Sequence, residues 1–123
     1  ITLTIHGREL ISRRHTEGVV WFDFSELCEG PRGAADYIEL ARTHHTLMLS
    51  RVPVLTVNDE NEARRFITLI DELYDRSVKV VIAADAAIDL LYRGDRLIFE
   101  FARTQSRLIE MRTVEYLRQP HRP

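Results

Sequence analysis

A single cysteine, Cys28, stands in 123 residues, which leaves no internal disulfide and no cysteine-based metal cluster. That usage fits a reducing compartment, and the cytoplasm is the expected location. No apolar run approaches the ~20 residues that cross a bilayer; the longest candidate, Val78 to Ala84, is interrupted by Lys79. An excess of charge of one sign is also missing. Seventeen basic residues face nineteen acidic ones, a net charge of −2, so nothing in the total charge points to nucleic acid as a partner. No charged, apolar and small-residue order of a signal peptide opens the chain, and neither internal repeats nor low-complexity tracts occur. What remains is one domain's worth of chain, beginning at Ile1 without an initiator methionine, as expected of a piece of a longer protein.

The pattern that is present changes once along the chain. "ITLTIHGRELISRR" alternates apolar and polar residues around His6-Gly7, and "VVWFDF" alternates again with Val20, Phe22 and Phe24 on one face. Two or three antiparallel strands over residues 1–28 are the simplest reading, with Gly18 as a turn and "CEGPRG" as the closing loop. Residues 34–117 then read as an α/β core. Ala34, Tyr37, Ile38 and Ala41 predict a short helix that leads into the strand "TLMLS", which Pro53 should end. Asn58 or Asp59 is the expected cap of the next helix, with Asp59, Glu60 and Glu62 at the positive end of its dipole. Its apolar stripe is Ala63, Phe66, Ile67, Ile70, Leu73 and Tyr74. "VKVVIAA" reads as a strand covered on both faces, so that two parallel strands and their helix form a βαβ unit of right-handed crossover. Beyond it, Ala86 to Tyr92 predicts a short helix, "LIFEF" a strand or extended segment, and "ARTQSRLIEMRTVEYL" a helix. Asp85 is expected to cap a helix, and "RQPHRP" to fray.

Several chemistries lack their residues. No G-x-x-x-x-G-K-[ST] loop occurs, so the amide cradle and lysine that hold nucleotide phosphates are missing; this chain alone is expected to be inactive. "GPRG" has neither the lysine nor the hydroxyl and reads as an ordinary turn. P-loop enzymes use acids after a core strand to hold magnesium and orient water, yet "TLMLS" ends on Ser50 and Arg51. His44-His45 diverge too far as neighbours to share one ion, so no metal site is expected. Ser50 and Ser106 have no Ser-His-Asp arrangement. Arg64, Arg65, Arg96, Arg103 and Arg107 lie on or near predicted helix boundaries, and guanidinium clamps phosphate oxygens bidentately; a solvated helix face is the alternative. Trp21 and Phe22, without basic interleaving, read as core or partner contacts rather than a base-stacking platform.

The words "VVWFDFSELCEGPRGAADYIELA", "ARRFITLIDELYDRSVKVVIAA" and "FEFARTQSRLIEM" together resemble the C-terminal part of ZapE-like ATPases, the AFG-type branch of the AAA+ P-loop proteins. The resemblance runs from about Leu3 to Leu117. It implies a parent protein whose phosphate-binding loop, metal-binding acids and sensor motif lie upstream of Ile1, and which uses ATP and magnesium. It also implies ATP-driven protein remodelling, linked in bacteria to the cell division ring and in mitochondria to quality control of inner-membrane proteins. The implied partners are the chain's own ATPase half, neighbouring subunits and a cell division protein. By similarity, "FEFARTQSRLIEM" occupies the place where AAA+ proteins often carry a nucleotide-sensing arginine, with Arg107 first, Arg103 second, and Arg64 and Arg65 as weaker nucleotide-binding candidates. Ser50 and Arg51 depart from the acids that some members carry, which favours a scaffold role for this half. The alternative is a non-enzymatic interaction module that grips a protein through its N-terminal β region, with Trp21 exposed. A free-standing hydrolase ranks last, for want of a nucleophile and base.

Overall fold

Two kinds of strand pairing meet at Val19 to Asp23 in the computed structural model, which describes residues 1–123. The chain opens with a hairpin of β1 (Thr2–Ile5) and β2 (Arg8–Ile11), turning at His6 and Gly7, both at positive φ, the backbone that matches strand twist in two-residue hairpins. A second hairpin joins β3 (Arg14–Thr16) to β4 (Val19–Asp23). On its other edge β4 pairs in parallel with β5 (Thr46–Val52), Val19 opposite Thr46 and Asp23 opposite Ser50. Strand β5 pairs in parallel with β7 (Lys79–Ala84). The main sheet therefore runs β3-β4-β5-β7. The strand read as part of the N-terminal antiparallel region is also the first parallel strand of the α/β core. A two-residue parallel pair, β6 (Leu55–Thr56) with β8 (Tyr92–Arg93), stands apart.

Gly18 shows why the second hairpin closes as it does. Its φ is +78°, and a Cβ there would lie 2.5 Å from the His45 ring. Left-handed backbone costs an L-residue about 1–2 kcal/mol, and the ring must also move. Gly18→Ala is expected to destabilise the chain by at least that much in urea melts; a loss below about 0.5 kcal/mol would show the turn to be slack.

Six helices complete the chain: α1 (Phe24–Cys28), α2 (Ala34–Thr43), α3 (Glu60–Asp75), α4 (Ile88–Leu91), α5 (Ile98–Glu110) and α6 (Val114–Leu117). Helix α3 packs between α2 and α5 and also meets α1. Val20, Phe22, Leu47, Leu49 and Val52 supply the strand side of the core; Ala63, Phe66, Ile67, Ile70 and Leu73 supply the helix side, joined by Leu69. Apart from Tyr74, which is half-buried, the apolar stripe read from spacing is the buried stripe.

Several expectations are corrected. Phe24 to Cys28 form α1 rather than continuing the strand, and the helix read over 102–117 is two, α5 and α6. "LIFEF" opens α5, because Leu97, Phe101, Thr104 and Leu108 are buried at helical spacing while Ile98 and Phe99 are exposed; a short apolar run does not by itself separate strand from helix. Strand β7 is not covered on both faces. It is the last strand of its sheet, with Val81, Ala83 and Ala84 exposed. Asp59 stands at the cap position of α3, but its carboxylate turns back to accept from the amide and hydroxyl of Thr56, both at 2.9 Å. Asp85 caps nothing, since α4 starts after Ala87. The C-terminal tail is tied down rather than frayed: Gln119 accepts from Ser77 and Lys79, the Arg122 amide donates to the Arg76 carbonyl, and the His121 ring lies 2.6 Å from the Ala41 carbonyl. Sequence pattern does not register such long-range polar contacts.

Candidate functional site

Arg103 and Arg107 come together on α5 because they sit four residues apart, one turn along the helix. Both face Asp71 of α3. Arg107 pairs with Asp71 Oδ1, and Arg103 reaches Oδ2 at 3.4 Å. The Arg107 guanidinium also lies 4.9 Å above the Tyr74 ring, while the Tyr74 hydroxyl donates to the Glu110 carboxylate at 2.9 and 3.0 Å. That bond, ahead of burial, pushes the Tyr74 pKa up. The two arginines differ in freedom: the Arg103 side chain is 55% exposed and the Arg107 side chain 26%. Arg107 is held by a carboxylate and a ring, whereas Arg103 has donors facing solvent. Asp71, which the sequence reading did not single out, orders the pair. Its only sequence signal is an acid on the flank of an apolar stripe.

Arg64 and Arg65 are not brought to this cluster. Arg64 is exposed and stands two turns before Asp71 on α3, about 10 Å along the axis. Arg65 donates to the Cys28 carbonyl at 3.1 Å, placing a cation at the end of α1 where carbonyls lack partners. The Cys28 thiol beneath it is pushed well up by burial and stays protonated. Arg96 offers its amide, not its guanidinium, to a neighbour: with Asp95 it donates to Glu60.

The Glu60 carboxylate accepts from the Tyr92 hydroxyl at 2.6 Å and from the Asp95 and Arg96 amides at 3.0 and 2.8 Å. Led by the tyrosine bond, these donors hold its pKa down to about 2 against the ordinary 4.5. A carboxyl depressed on folding contributes stability above its unfolded pKa, which is lost as pH falls through the folded one. Glu60→Gln should therefore flatten the loss of stability between pH 4.5 and 2 in thermal melts; equal slopes for both proteins would show these three hydrogen bonds to be without effect on stability. His44 acts in a higher range. Its ring is buried at the end of α2, 3.2 Å from the His15 ring and 3.1 Å from the Leu40 carbonyl, with Thr43 beside it. Burial, aided by His15, His45 and His121, outweighs the carbonyl and lowers its pKa. The cation expected at a helix C-terminus is replaced there by a neutral ring, and stability falls as pH drops below about 6.5.

The strand ends where acids would be sought carry a different network. Trp21 Nε1 donates to Ser50 Oγ at 2.9 Å, and Ser50 Oγ donates to Asp23 Oδ1 at 2.7 Å. Arg13 reaches the same oxygen at 3.2 Å and lies 4.7 Å from the Trp21 ring centre. The serine bond lowers the Asp23 pKa against burial. Arg51 stands at φ +58° in the bulge where the β5-β7 register shifts, the kind of irregularity that re-aims side chains. No three His, Cys, Asp or Glu side chains converge to hold a metal ion, and Trp21 is half-buried.

Parallel strands flanked by helices, with a small antiparallel hairpin beside them, define an α/β chain. The chain belongs to the AFG1-like ATPase family, whose profile matches residues 1–120. It is 47% identical over 120 residues to "Cell division protein ZapE" of Escherichia coli (strain K12), an alignment covering 98% of this chain and 32% of that protein. It is 36% identical over 146 residues to "Lactation elevated protein 1 homolog B" of Danio rerio, covering 93% of this chain and 29% of that protein. The chain thus spans about a third of the length of these curated relatives. No solved structure matches it. No helix is long and apolar enough to cross a membrane.

Proposed function

We propose that this chain is the C-terminal α/β portion of a ZapE-like, ATP-hydrolysing protein-remodelling factor of bacterial cell division, acting in the cytoplasm. In this reading it supplies scaffold and subunit contacts, and it sets an arginine toward nucleotide. The supporting observation is the family match along residues 1–120 together with 47% identity to a cell division protein. ATP and magnesium would be held by the rest of the polypeptide, since the phosphate-binding loop is not among these residues.

The arginine pair fits the role unevenly. Arg103 has exposed donors, and Phe99, one turn before it on the same outward stripe of α5, is 88% exposed. An exposed ring beside an exposed guanidinium suits contact with a neighbouring subunit. Arg107 suits the task of holding the stripe in place through Asp71. A guanidinium brought to a γ-phosphate stabilises the charge that spreads over its oxygens during transfer. Arg103→Ala and Arg107→Ala in the complete polypeptide, read by ATP turnover, test the reading; unchanged rates in both overturn it. The interaction-module alternative gains nothing from Trp21, whose ring is half-buried and whose N–H is already given to Ser50.

A further inference from the structure

Strand β7 has an open edge and two incompletely covered faces. Its edge away from β5 has no partner. On its outward face Val81 is 56% exposed and continues a cross-sheet row with Met48 and Trp21, both half-buried. No residue on that face of β4, β5 or β7 is buried. On its inward face Val80, Ile82 and Ala84 form one wall of a groove of about 640 Å³, closed on the other side by Ile88 of α4 and Ile109 of α5. Parallel strands are ordinarily covered on both faces by helices, and a free, apolar edge strand invites pairing.

We infer that the rest of the same polypeptide completes this sheet, adding a strand beside β7 and seating a helix in the groove between β7 and α5. This rests on the proposed reading of the chain as one portion of a longer ATPase. The length supports it: the relatives carry about twice as much additional chain as is present in these residues. Covering the edge and the inward face of one strand calls for a strand with its flanking helix, the repeating unit of such folds. A second copy of this chain would satisfy the edge but would bring its own open groove with it, leaving two apolar grooves unfilled.

The test is hydrogen exchange by mass spectrometry on the complete polypeptide, alone and with Val81→Lys or Ile109→Glu; both positions are more than half exposed in these residues. In the unmodified protein the amides of 79–84 should exchange slowly at every protein concentration. Each substitution should speed their exchange at least about tenfold, the equivalent of 1.4 kcal/mol of opening free energy. Fast exchange of 79–84 in the unmodified protein overturns the inference, as does protection that appears only as concentration rises, which would mark a second copy. Exchange that neither substitution accelerates also overturns it. These outcomes are separate from ATP turnover: an idle Arg103 would sink the arginine reading and leave β7 protection untouched.

Discussion

Arg103→Ala in the complete polypeptide is expected to lower ATP turnover by about 10³-fold, the lower end of what arginine fingers contribute, while leaving its melting curve almost unchanged. The geometry separates the two effects. Arg103 touches Asp71 at 3.4 Å with more than half its side chain in solvent, and such an exposed pair contributes at most about 1 kcal/mol to stability. A large loss of turnover without unfolding would therefore report contact with charge outside these residues. Arg107→Ala should behave otherwise, because the arginine lies between Asp71 and the Tyr74 ring and its removal loosens the contact of α3 with α5. Both turnover and melting temperature should fall. Arg107→Lys should recover part of the stability but not the stacked, planar geometry. If Arg103→Ala and Arg107→Ala lose turnover only in proportion to unfolding, the arginines are structural.

Phe66→Ala should destabilise the domain by about 3–5 kcal/mol, against a total of roughly 5–15 kcal/mol for an ordinary domain. The ring is fully buried, stacks at 6.0 Å on Phe101 and lies tilted at 6.2 Å from Phe24. Phe101 in turn stacks on Tyr92 at 4.9 Å. The four rings join α1, α3, β8 and α5, so the space left by Phe66 opens where the elements meet. Phe66→Leu should cost much less, because most of the volume stays. Urea unfolding followed by tryptophan fluorescence measures both; a loss under about 1 kcal/mol for the alanine variant would mean that the stack does not hold the core. This effect should appear in the isolated chain, whereas the Arg103 effect requires the nucleotide-binding part.

Much of the fold was legible where one physical signal dominates. The α3 stripe declared itself because 3.6-residue spacing and burial coincide over four turns. The helix from Ala34 to Thr43 was legible from spacing as well, although of the residues read for it only Tyr37 and Ala41 are buried, with Leu40 beside them, while Ala34 is exposed and Ile38 half-buried. Pro53 follows directly on the last residue of β5, as a residue without an N–H should. The start of α5 was not legible, because "LIFEF" is apolar enough to serve as a strand and only Leu97 and Phe101 docking on the core favours the helix. Short α1 was missed within a pattern that continues the alternation of β4. For the candidate site, the residue types and the turn-long spacing of Arg103 and Arg107 could be read directly. Their shared carboxylate could not, since Asp71 is more than thirty residues away.

By itself, then, the sequence determined that this is an α/β chain of the AFG1-like ATPase type, without a phosphate-binding loop and with two arginines one helical turn apart. The family follows from the resemblance of three long stretches of residues, and the other statements from local spacing and motifs. Only the tertiary structure decided that β4 serves both pairing modes, that β7 ends the sheet with its edge open, and that Asp71 secures Arg107 more firmly than Arg103. Each of these depends on which distant segments come into contact, and that is settled by burial of the shared core rather than by any stretch of residues alone.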